Sequence, residues 1–525
     1  MRTIKQINYL VRISGLTLIL ASLLPLGGCG SSGSGDGSSS SSGGGITQAP
    51  TDPNFSHINI WDFGRGIRYV DDTHKEEALD FFATHVDVAE SGSDGDPDVA
   101  AQAVNNLRER NPDIKVFFYD LDITVCQHVG CVRTNALADD PPGAKESFYL
   151  HFSEDTSFTA HFVDPADENV SITGCTGQAT RECRMQTGIW YDYRFVYNAK
   201  DPEFRAWMAN LLLGSAGIFD GLFLDEHGPG LPIDWPAGAT GGGIIEYGGR
   251  TIDEVDEDYN ADLSGALAVY KEAFASEGKF VVINGASWSL SNELVMDQIK
   301  AAGGTATEFL HRPTGFDGPT SYRRALDNVD ELVAAGALVD LYDAPCRDPE
   351  GDFGFTSGLY SSPFARWQMW RLASYYLARE MPDGTTGAGT VYFDPNFCIP
   401  FNDPDHVLDF IDKWLPAYEV NVGSPDGSRD ADDFASGTSP VAMAASCTQS
   451  TVPQYGILSR YYNNGTVLVL VRPNDRWDCS RVVGDESAVT VDLPSPMRLL
   501  FDDGTLSAPL SSIQLRNAEA AILFE

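Results

Sequence analysis

Eight short apolar segments between residues 57 and 396 constrain the fold of this chain more than any other feature. Most of them end in acidic or amide side chains, and segments with helical spacing lie between many of them. A short apolar run bounded by turn residues indicates a buried strand, and strands that alternate with helices favour parallel βα units. Eight such units close a barrel. The pattern therefore predicts an α/β fold with a (β/α)8 TIM barrel over residues 53–430.

The spacing of apolar residues predicts the individual elements of this barrel. The predicted strands are 57–64, 86–90, 114–122, 219–226, 279–286, 304–310, 338–345 and 389–396. The predicted helices are 73–83, 98–110, 202–213, 263–277, 327–336 and 366–379. Residues 253–262 are interpreted as an acidic loop. We expect no calcium there, because Ala261 replaces the glycine that a calcium-binding turn needs and Leu267 stands where the final glutamate is required.

The fourth predicted strand ends in Asp225 and Glu226, followed by His227 and a Gly-Pro-Gly break. Catalytic groups of a barrel lie where strands end and loops begin. Successive side chains of a strand point to opposite faces, so only one of the two carboxylates is expected to face the cleft. The stretch is therefore the first candidate for catalysis, although a capping or ion-pairing role explains a single strand-end acid equally well.

Residues 126–189 interrupt the alternation of strands and helices and are rich in Cys, Thr and Gly. We interpret them as a disulfide-braced insertion beside the cleft, because eight cysteines remain after Cys29 and an even number favours disulfides in an exported protein. The sequence alone does not fix the pairing. Our expectation is that Cys126 and Cys131 pair with Cys175 and Cys183, Cys346 with Cys398, and Cys447 with Cys479.

The chain changes character at about residue 431, where helical spacing disappears. An Asn-Gly step at 464–465 predicts a hairpin that leads into a buried strand, and further short strands are predicted at 488–493, 498–501 and 518–524. Residues 431–525 are therefore predicted to form an antiparallel β-sandwich domain.

The first 52 residues predict export and tethering rather than a folded element. Residues 1–29 combine a basic start, a short apolar run and small residues directly before Cys29, which is typical of a bacterial lipoprotein signal with Cys29 as the lipidated residue. Residues 30–52 begin with a Gly/Ser-rich tether. We expect an exported, lipid-anchored protein, which in a Gram-negative cell would lie on the periplasmic or the cell-surface face of the outer membrane.

The formal net charge of −40, from 35 basic and 75 acidic residues, argues against nucleic acid as a partner. It also argues against anionic lipid, so membrane attachment is expected through the lipid anchor only. No paired C-x-x-C motif predicts a zinc site, and no cofactor is expected. The charge and the motifs leave the oligomeric state open.

Several motifs, in their order, carry a resemblance to a known family. They are Ile60-Trp61-Asp62, FDGLFLDE (219–226), VVINGA (281–286), TATEF (305–309), VYFDP (391–395) and YYNNGTVLVLV (461–471). The chain resembles a family of barrel glycoside hydrolases among bacterial lipoproteins, related in pattern to dextranase-like and α-galactosidase-like clans. The resemblance covers most of residues 55–525 and implies cleavage of an oligo- or polysaccharide by two carboxylates.

Carried over to this chain, the resemblance implies Asp225 as the nucleophile and Glu308 as the general acid/base, with retention of configuration. A second assignment stays open, in which Glu226 is the acid/base and Asp343 its partner. Further candidates are acids and an amide that would bind sugar hydroxyls, and tryptophans that would stack on sugar rings. These substrate-binding candidates are Trp61, Asp62, Asp120, Asp122, Trp190, Asn284, Trp288, Asp343 and Asp394.

Two other classes of protein remain as alternatives. A non-catalytic carbohydrate-binding surface lipoprotein would bind sugar without releasing new reducing ends. A metal-dependent hydrolase would use Asp225, His227 and His311, but no His-x-His or His-Glu-x-x-His spacing supports it, so no metal site is predicted.

Overall fold

The structure is a computed structural model, and part of the chain is described in it. The described residues are 60–62, 75–90, 97–120, 122, 124–125, 140–162, 168–190, 192–225, 227–228, 230–231, 242–284, 293–306, 319–341, 356–379, 389–395, 411, 413–426, 437–438, 454–471, 488–516 and 519–525. No helix within these ranges is long and apolar enough to cross a membrane.

The first part of the chain alternates strands and helices as predicted. Its elements are β1 (Trp61–Asp62), α1 (Lys75–His85), β2 (Val88–Glu90), α2 (Pro97–Arg110) and β3 (Lys115–Asp120). The three strands pair in parallel, β1 with β2 and β2 with β3. The alternation therefore begins a parallel sheet.

A small separate sheet follows β3 and corresponds to the predicted insertion. Its strands are β4 (Thr124–Val125), β5 (Thr156–Phe162), β6 (Glu168–Ile172), β7 (Gln186–Trp190) and β8 (Asp192–Val196), in the order β4-β8-β7-β5-β6. A disulfide joins Cys175 to Cys183 within it. The expected pairing of these two cysteines with Cys126 and Cys131 is therefore wrong, since Cys175 and Cys183 lie eight residues apart and bond to each other.

The alternation resumes after the insertion and continues to the eighth parallel strand. The elements are α3 (Pro202–Ser215), β9 (Gly221–Leu224), α4 (Ile252–Ser276), β10 (Phe280–Ile283), α5 (Glu293–Ala302), β11 (Gly304–Ala306), α6 (Pro319–Ala334), β12 (Leu338–Leu341), α7 (Pro363–Ala378) and β13 (Thr390–Phe393). Residues 253–262, which were predicted to form an acidic loop, lie within helix α4. The prediction of a loop there is therefore wrong. Thr251 and Glu254 form a capping box that starts the helix at Ile252.

The eight parallel strands form one sheet in the order β1-β2-β3-β9-β10-β11-β12-β13. A parallel bridge between Ile60, directly before β1, and Phe393 of β13 joins the two ends of this order. The sheet therefore closes on itself, and the prediction of eight barrel strands is confirmed at the level of their order and direction.

Side chains fill the interior of this sheet. The interior cluster consists of Val88, Phe117, Phe223, Val282, Ala306, Leu338 and Tyr392, with Tyr119 and Phe280 packed against it. Gly221 makes room for it, because a Cβ atom there would lie 2.4 Å from the ring of Phe117. The alternate residues of the same strands, such as Leu222 and Leu224, pack outward against the helices. The face of each strand-end residue follows from this alternation.

An antiparallel sheet follows the barrel. Its strands are β14 (Gly437–Thr438), β15 (Gln454–Tyr462), β16 (Gly465–Val471), β17 (Val489–Leu499), β18 (Leu510–Leu515) and β19 (Ala520–Phe524), in the order β14-β15-β16-β19-β17-β18. The described residues thus confirm an antiparallel β domain, as one six-stranded sheet rather than the two sheets of a sandwich. Helix α7, buried at every residue from Ala365 to Ala378, packs against both β13 and this sheet.

Candidate active site

Asp225 lies at the carboxyl-terminal mouth of the barrel, directly after β9. Its backbone N–H donates to the carbonyl of Asp120 over 3.1 Å, so the ladder between β3 and β9 extends to this residue. Phe223 belongs to the interior cluster, and Asp225 comes two residues later. The carboxylate of Asp225 therefore points to the inside of the barrel mouth, where it is partly exposed to solvent.

Two neighbouring strands supply hydrogen-bond donors to this carboxylate. The side-chain amide of Asn284, directly after β10, donates to Oδ1 of Asp225 over 2.7 Å. The hydroxyl of Tyr119, from β3, donates to Oδ2. The ring of Tyr119 stacks on that of Phe223, with centroids 6.0 Å apart, which directs the hydroxyl upward to the mouth. Both oxygens of Asp225 are therefore acceptors of hydrogen bonds from neutral groups.

The strand alternation separates the two adjacent candidates Asp225 and Glu226. Leu224 packs in the outer core, whereas Phe223 and the side-chain partners of Asp225 are interior. Glu226 itself lies outside the described residues. The structure brings Asp225 to the barrel interior.

Asp122 and His227 form a buried pair beside this site. Nε2 of His227 lies 2.7 Å from Oδ1 of Asp122, and both side chains are fully buried. Asp122 was expected to bind a substrate hydroxyl, but its 1% exposure leaves its carboxylate in contact with His227 rather than with solvent. The same contact occupies His227, which the metal-dependent alternative would use together with Asp225 and His311. His311 lies outside the described residues.

The other predicted substrate-binding residues are placed in different ways. Asp120 ends β3 on the same face as Phe118, which packs against Phe219 in the outer core, so this face is not the barrel interior. Asp394 follows β13 and is 1% exposed, and its carbonyl accepts a hydrogen bond from Arg371. Only the backbone is described for Trp61, Asp62 and Trp190, and Glu308, Trp288, Asp343 and Cys29 lie outside the described residues.

Tyr119 is the residue of the site that the sequence did not indicate. The sequence analysis chose the acids at the end of β3 as substrate-binding candidates. The strand alternation instead places Tyr119 on the interior face, together with Phe117. Asp120 and Asp122 lie an odd number of residues after Tyr119, so the alternation assigns them to the opposite face of the strand. Counting in steps of two from Phe117, which lies in the interior cluster, leads to the tyrosine.

A charged cluster fastens the insertion to the loop before α4. His151 is fully buried between Glu146, 2.9 Å from Nε2, and Glu246, 2.7 Å from Nδ1. Burial lowers the pKa of His151, but the hydrogen bonds and charges of Glu246 and Glu146 outweigh it, so the pKa is raised above its ordinary value. Buried Arg184 binds Glu146 and Asp140, each over 2.5 Å. Its hydrogen bond lowers the pKa of Asp140.

No group of three or more His, Cys, Asp or Glu side chains in the described ranges is arranged to hold a metal ion. No protein-family model matches the chain, and no curated protein matches it either.

Among solved structures the chain is similar to a cycloisomaltooligosaccharide glucanotransferase from Paenibacillus sp. in complex with cycloisomaltoheptaose. The TM-score is 0.43 at 8% identity, over 90% of this chain and 85% of that chain. An α-amylase from Geobacillus thermoleovorans in complex with acarbose has a TM-score of 0.39 at 11% identity, over 90% and 98%. A cyclic α-maltosyl-(1→6)-maltose hydrolase from Arthrobacter globiformis has 0.38 at 12%, over 90% and 100%.

Proposed function

We propose that this protein is a retaining glycoside hydrolase that cleaves an oligo- or polysaccharide with Asp225 as the nucleophile. The proposal is carried by one observation, namely the interior carboxylate of Asp225 at the barrel mouth, which accepts hydrogen bonds from Tyr119 and Asn284. Active sites of (β/α)8 barrels lie at this face. The motifs of the chain, which resemble those of barrel glycoside hydrolases, agree with this position.

The hydrogen bonds suit Asp225 to the role of nucleophile rather than acid. A general acid must hold a proton and direct it at the leaving oxygen. Here one oxygen accepts from an amide and the other from a hydroxyl, so the group is arranged as an acceptor. A carboxylate held in this way is oriented toward an anomeric carbon above the mouth.

We assign the general acid/base to Glu308. Ala306 of β11 belongs to the interior cluster, and Glu308 follows it by two residues, which is the step that returns a strand to the same face. In a retaining enzyme the two carboxyl groups are about 5–5.5 Å apart. Glu226 with Asp343 remains the competing assignment of the two catalytic carboxylates. Asp225 is favoured over Glu226, because Asp225 follows the interior residue Phe223 of β9 by two positions.

The test is a screen of the purified protein against a polysaccharide panel, followed by variants on the best substrate. Asp225→Asn is expected to abolish turnover, whereas Glu308→Gln is expected to retain activity only on aryl glycosides whose leaving group needs no proton. Asp220→Asn is the matched control, because Asp220 lies at the opposite end of β9 and pairs with Arg108 over 2.6 Å. Full activity in both catalytic variants would reject the assignment. Sugar binding without release of reducing ends would favour a binding protein instead.

We further propose that the protein is exported and anchored by a lipid on Cys29. The basic start, apolar run and small residues before Cys29 support this proposal. In cells that process lipoproteins, Cys29→Ser is expected to move the protein from the membrane fraction to the soluble fraction and to prevent labelling by a fatty acid. Unchanged membrane association of the variant would reject it.

A further inference from the structure

We propose that the buried pair of Asp122 and His227 is a positioning device for the loop that carries Asp225 and Glu226. The inference rests on the proposed glycosidase function, but it concerns residues that touch no substrate. Both side chains are fully buried, and Nε2 of His227 lies 2.7 Å from Oδ1 of Asp122. The pair is therefore part of the support of the site rather than of its surface.

The pair joins two loops at the same end of the barrel. Asp122 follows β3 by two residues, and His227 follows β9 by three. These strands are hydrogen-bonded neighbours in the sheet. Only Asp225 and Glu226 lie between the last residue of β9 and His227, so an anchor at His227 fixes the chain on the far side of both acids.

A second set of contacts holds the same loop from the helix layer. Gln298 of α5 donates from its side-chain amide to the carbonyl of Gly228 over 3.2 Å. Oδ1 of Asn260, on α4, accepts from the N–H of Gly230 over 3.3 Å and from Nε2 of Gln298 over 2.5 Å. The N–H of Leu231 donates to Oδ1 of Asp256 over 3.2 Å.

Close packing against α4 also constrains the residue at position 230. Gly230 has a φ of +93°, and a Cβ atom there would lie 3.2 Å from Oδ1 of Asp256. Side chains of the loop after β3 and of two helices therefore bind residues 227, 228, 230 and 231, and the glycine at 230 allows a close approach to α4.

The chemistry of the pair also favours positioning over stability. Buried polar and charged groups contribute little net stability, because desolvation offsets their attraction. Oδ2 of Asp122 and Nδ1 of His227 have no hydrogen-bond partner within the described part of the chain, which adds to that cost. What the contact does supply is a directional hydrogen bond between two loops, which apolar side chains of similar size lack.

Three variants test the inference. His227→Ala removes the contact and is expected to lower kcat about 100-fold with KM within about threefold, since a displacement of 1 Å costs about that much in rate. His227→Gln keeps an N–H donor near the position of Nε2 and is expected to recover most of kcat. Tyr322→Phe is the control, because it removes another buried hydrogen bond, 2.6 Å from Tyr322 to Ser374, far along the chain between α6 and α7.

A second readout separates this inference from the proposed function. Hydrogen exchange of peptides covering residues 219–231 is expected to accelerate in His227→Ala, to return toward the wild-type rate in His227→Gln, and to stay unchanged in Tyr322→Phe. If the wild-type protein turns over no glycoside, this pattern still supports the positioning role while the proposed function fails. Unchanged exchange in His227→Ala, or a loss of kcat that the glutamine variant does not recover, would overturn the inference.

Discussion

The side-chain amide of Asn284 donates a hydrogen bond to Oδ1 of Asp225 over 2.7 Å. The two residues directly follow neighbouring parallel strands, and the N–H of Asn284 also binds the carbonyl of Leu224 over 2.7 Å. The backbone pairing of the two strands and the side-chain hydrogen bond therefore both hold Asn284 beside Asp225. An amide is the group expected here, because it donates without adding charge beside a carboxylate.

Replacing Asn284 with aspartate is expected to give an enzyme that works only at acid pH. The introduced carboxyl lies beside Asp225, and two carboxyl groups in one site cannot both ionise readily, so one of them retains a proton to a higher pH. While that proton is present, it substitutes for the amide hydrogen bond. As pH rises and the proton is lost, two negative charges repel each other and kcat falls. The measurement is the pH dependence of kcat for the variant and for the wild type.

Asn284→Ala is the matched variant for this experiment. It removes the donor without adding a carboxyl, so its kcat is expected to be low at every pH rather than to recover in acid. A profile of Asn284→Asp that superimposes on the wild-type profile would show that the amide and Asp225 do not act together.

Tyr119→Phe is expected to lower kcat and, through the loss of one hydrogen bond, to lower the free energy of unfolding by up to about 3 kcal/mol. The variant keeps the ring that stacks on Phe223 and loses only the hydroxyl that donates to Asp225. A hydrogen bond to a charged group contributes about 1.5–3 kcal/mol. Since each 1.36 kcal/mol is a factor of ten in rate, kcat is expected to fall about 10- to 100-fold. Steady-state kinetics and a denaturant titration check the two parts, and equal kcat values would contradict the assigned contact.

The barrel strands were predictable because their signal is local. Several are runs of apolar residues buried on both faces and bounded by polar or turn residues, as in Gly221–Leu224 and Thr390–Phe393, where every residue is buried. Helix α4 was only half predicted, because five of its first ten residues are acidic. Its start was nevertheless encoded, since Thr251 and Glu254 have the spacing of a capping box.

In the β domain, two prolines that were expected to separate two strands lie within one strand, β17. Pro494 and Pro496 lack the N–H groups that a sheet needs, so the sequence predicted two strands separated by a break. The structure has a single strand, β17, that continues through both prolines. Its pairing with β18 is irregular between Asp492 and Met497. The prolines thus interrupt the pairing with β18 without ending the strand.

The sequence identified polar residues at the strand ends as candidates for the site, but it did not predict the direction in which each side chain points. Asp225 and Asn284 were chosen because polar groups at strand ends meet at one mouth, and they do meet. Asp122 was chosen by the same rule, yet it is buried against His227. This contact joins residues 105 positions apart in the chain, so no local pattern encodes it.

Arg460 is expected to be a major source of stability, because it joins the β domain to the barrel. From β15 its guanidinium donates to the carbonyls of Tyr376, Leu377 and Arg379, at the C-terminal end of α7. Arg460→Met would remove this donor from the carbonyls of Leu377 and Arg379, whereas that of Tyr376 still accepts from the hydroxyl of Tyr462. The variant is expected to lower the free energy of unfolding by about 2–4 kcal/mol. Chemical denaturation measures the loss.

The exposed Arg498 of β17 gives the control for this experiment. Arg498→Met is expected to change the free energy of unfolding by no more than about 0.5 kcal/mol, as is usual for surface positions. Equal stability of Arg460→Met and Arg498→Met would show that the end of α7 does not depend on Arg460.

His151 is expected to make the attachment of the insertion depend on pH. Burial opposes its protonation, but Glu246 and Glu146 overcome that effect and raise its pKa. A histidine whose pKa is higher in the folded protein stabilises it most below the ordinary histidine value of about 6.5. This contribution is lost as pH rises through the raised pKa, when His151 becomes neutral between the two glutamates. The wild type is therefore expected to exceed His151→Gln in unfolding free energy at pH 6, and this difference is expected to shrink steadily toward pH 9. Denaturant titrations of both proteins at several pH values give the difference directly. A difference that stays constant over this range, or grows with pH, would show that the proton on His151 does not hold the insertion in place.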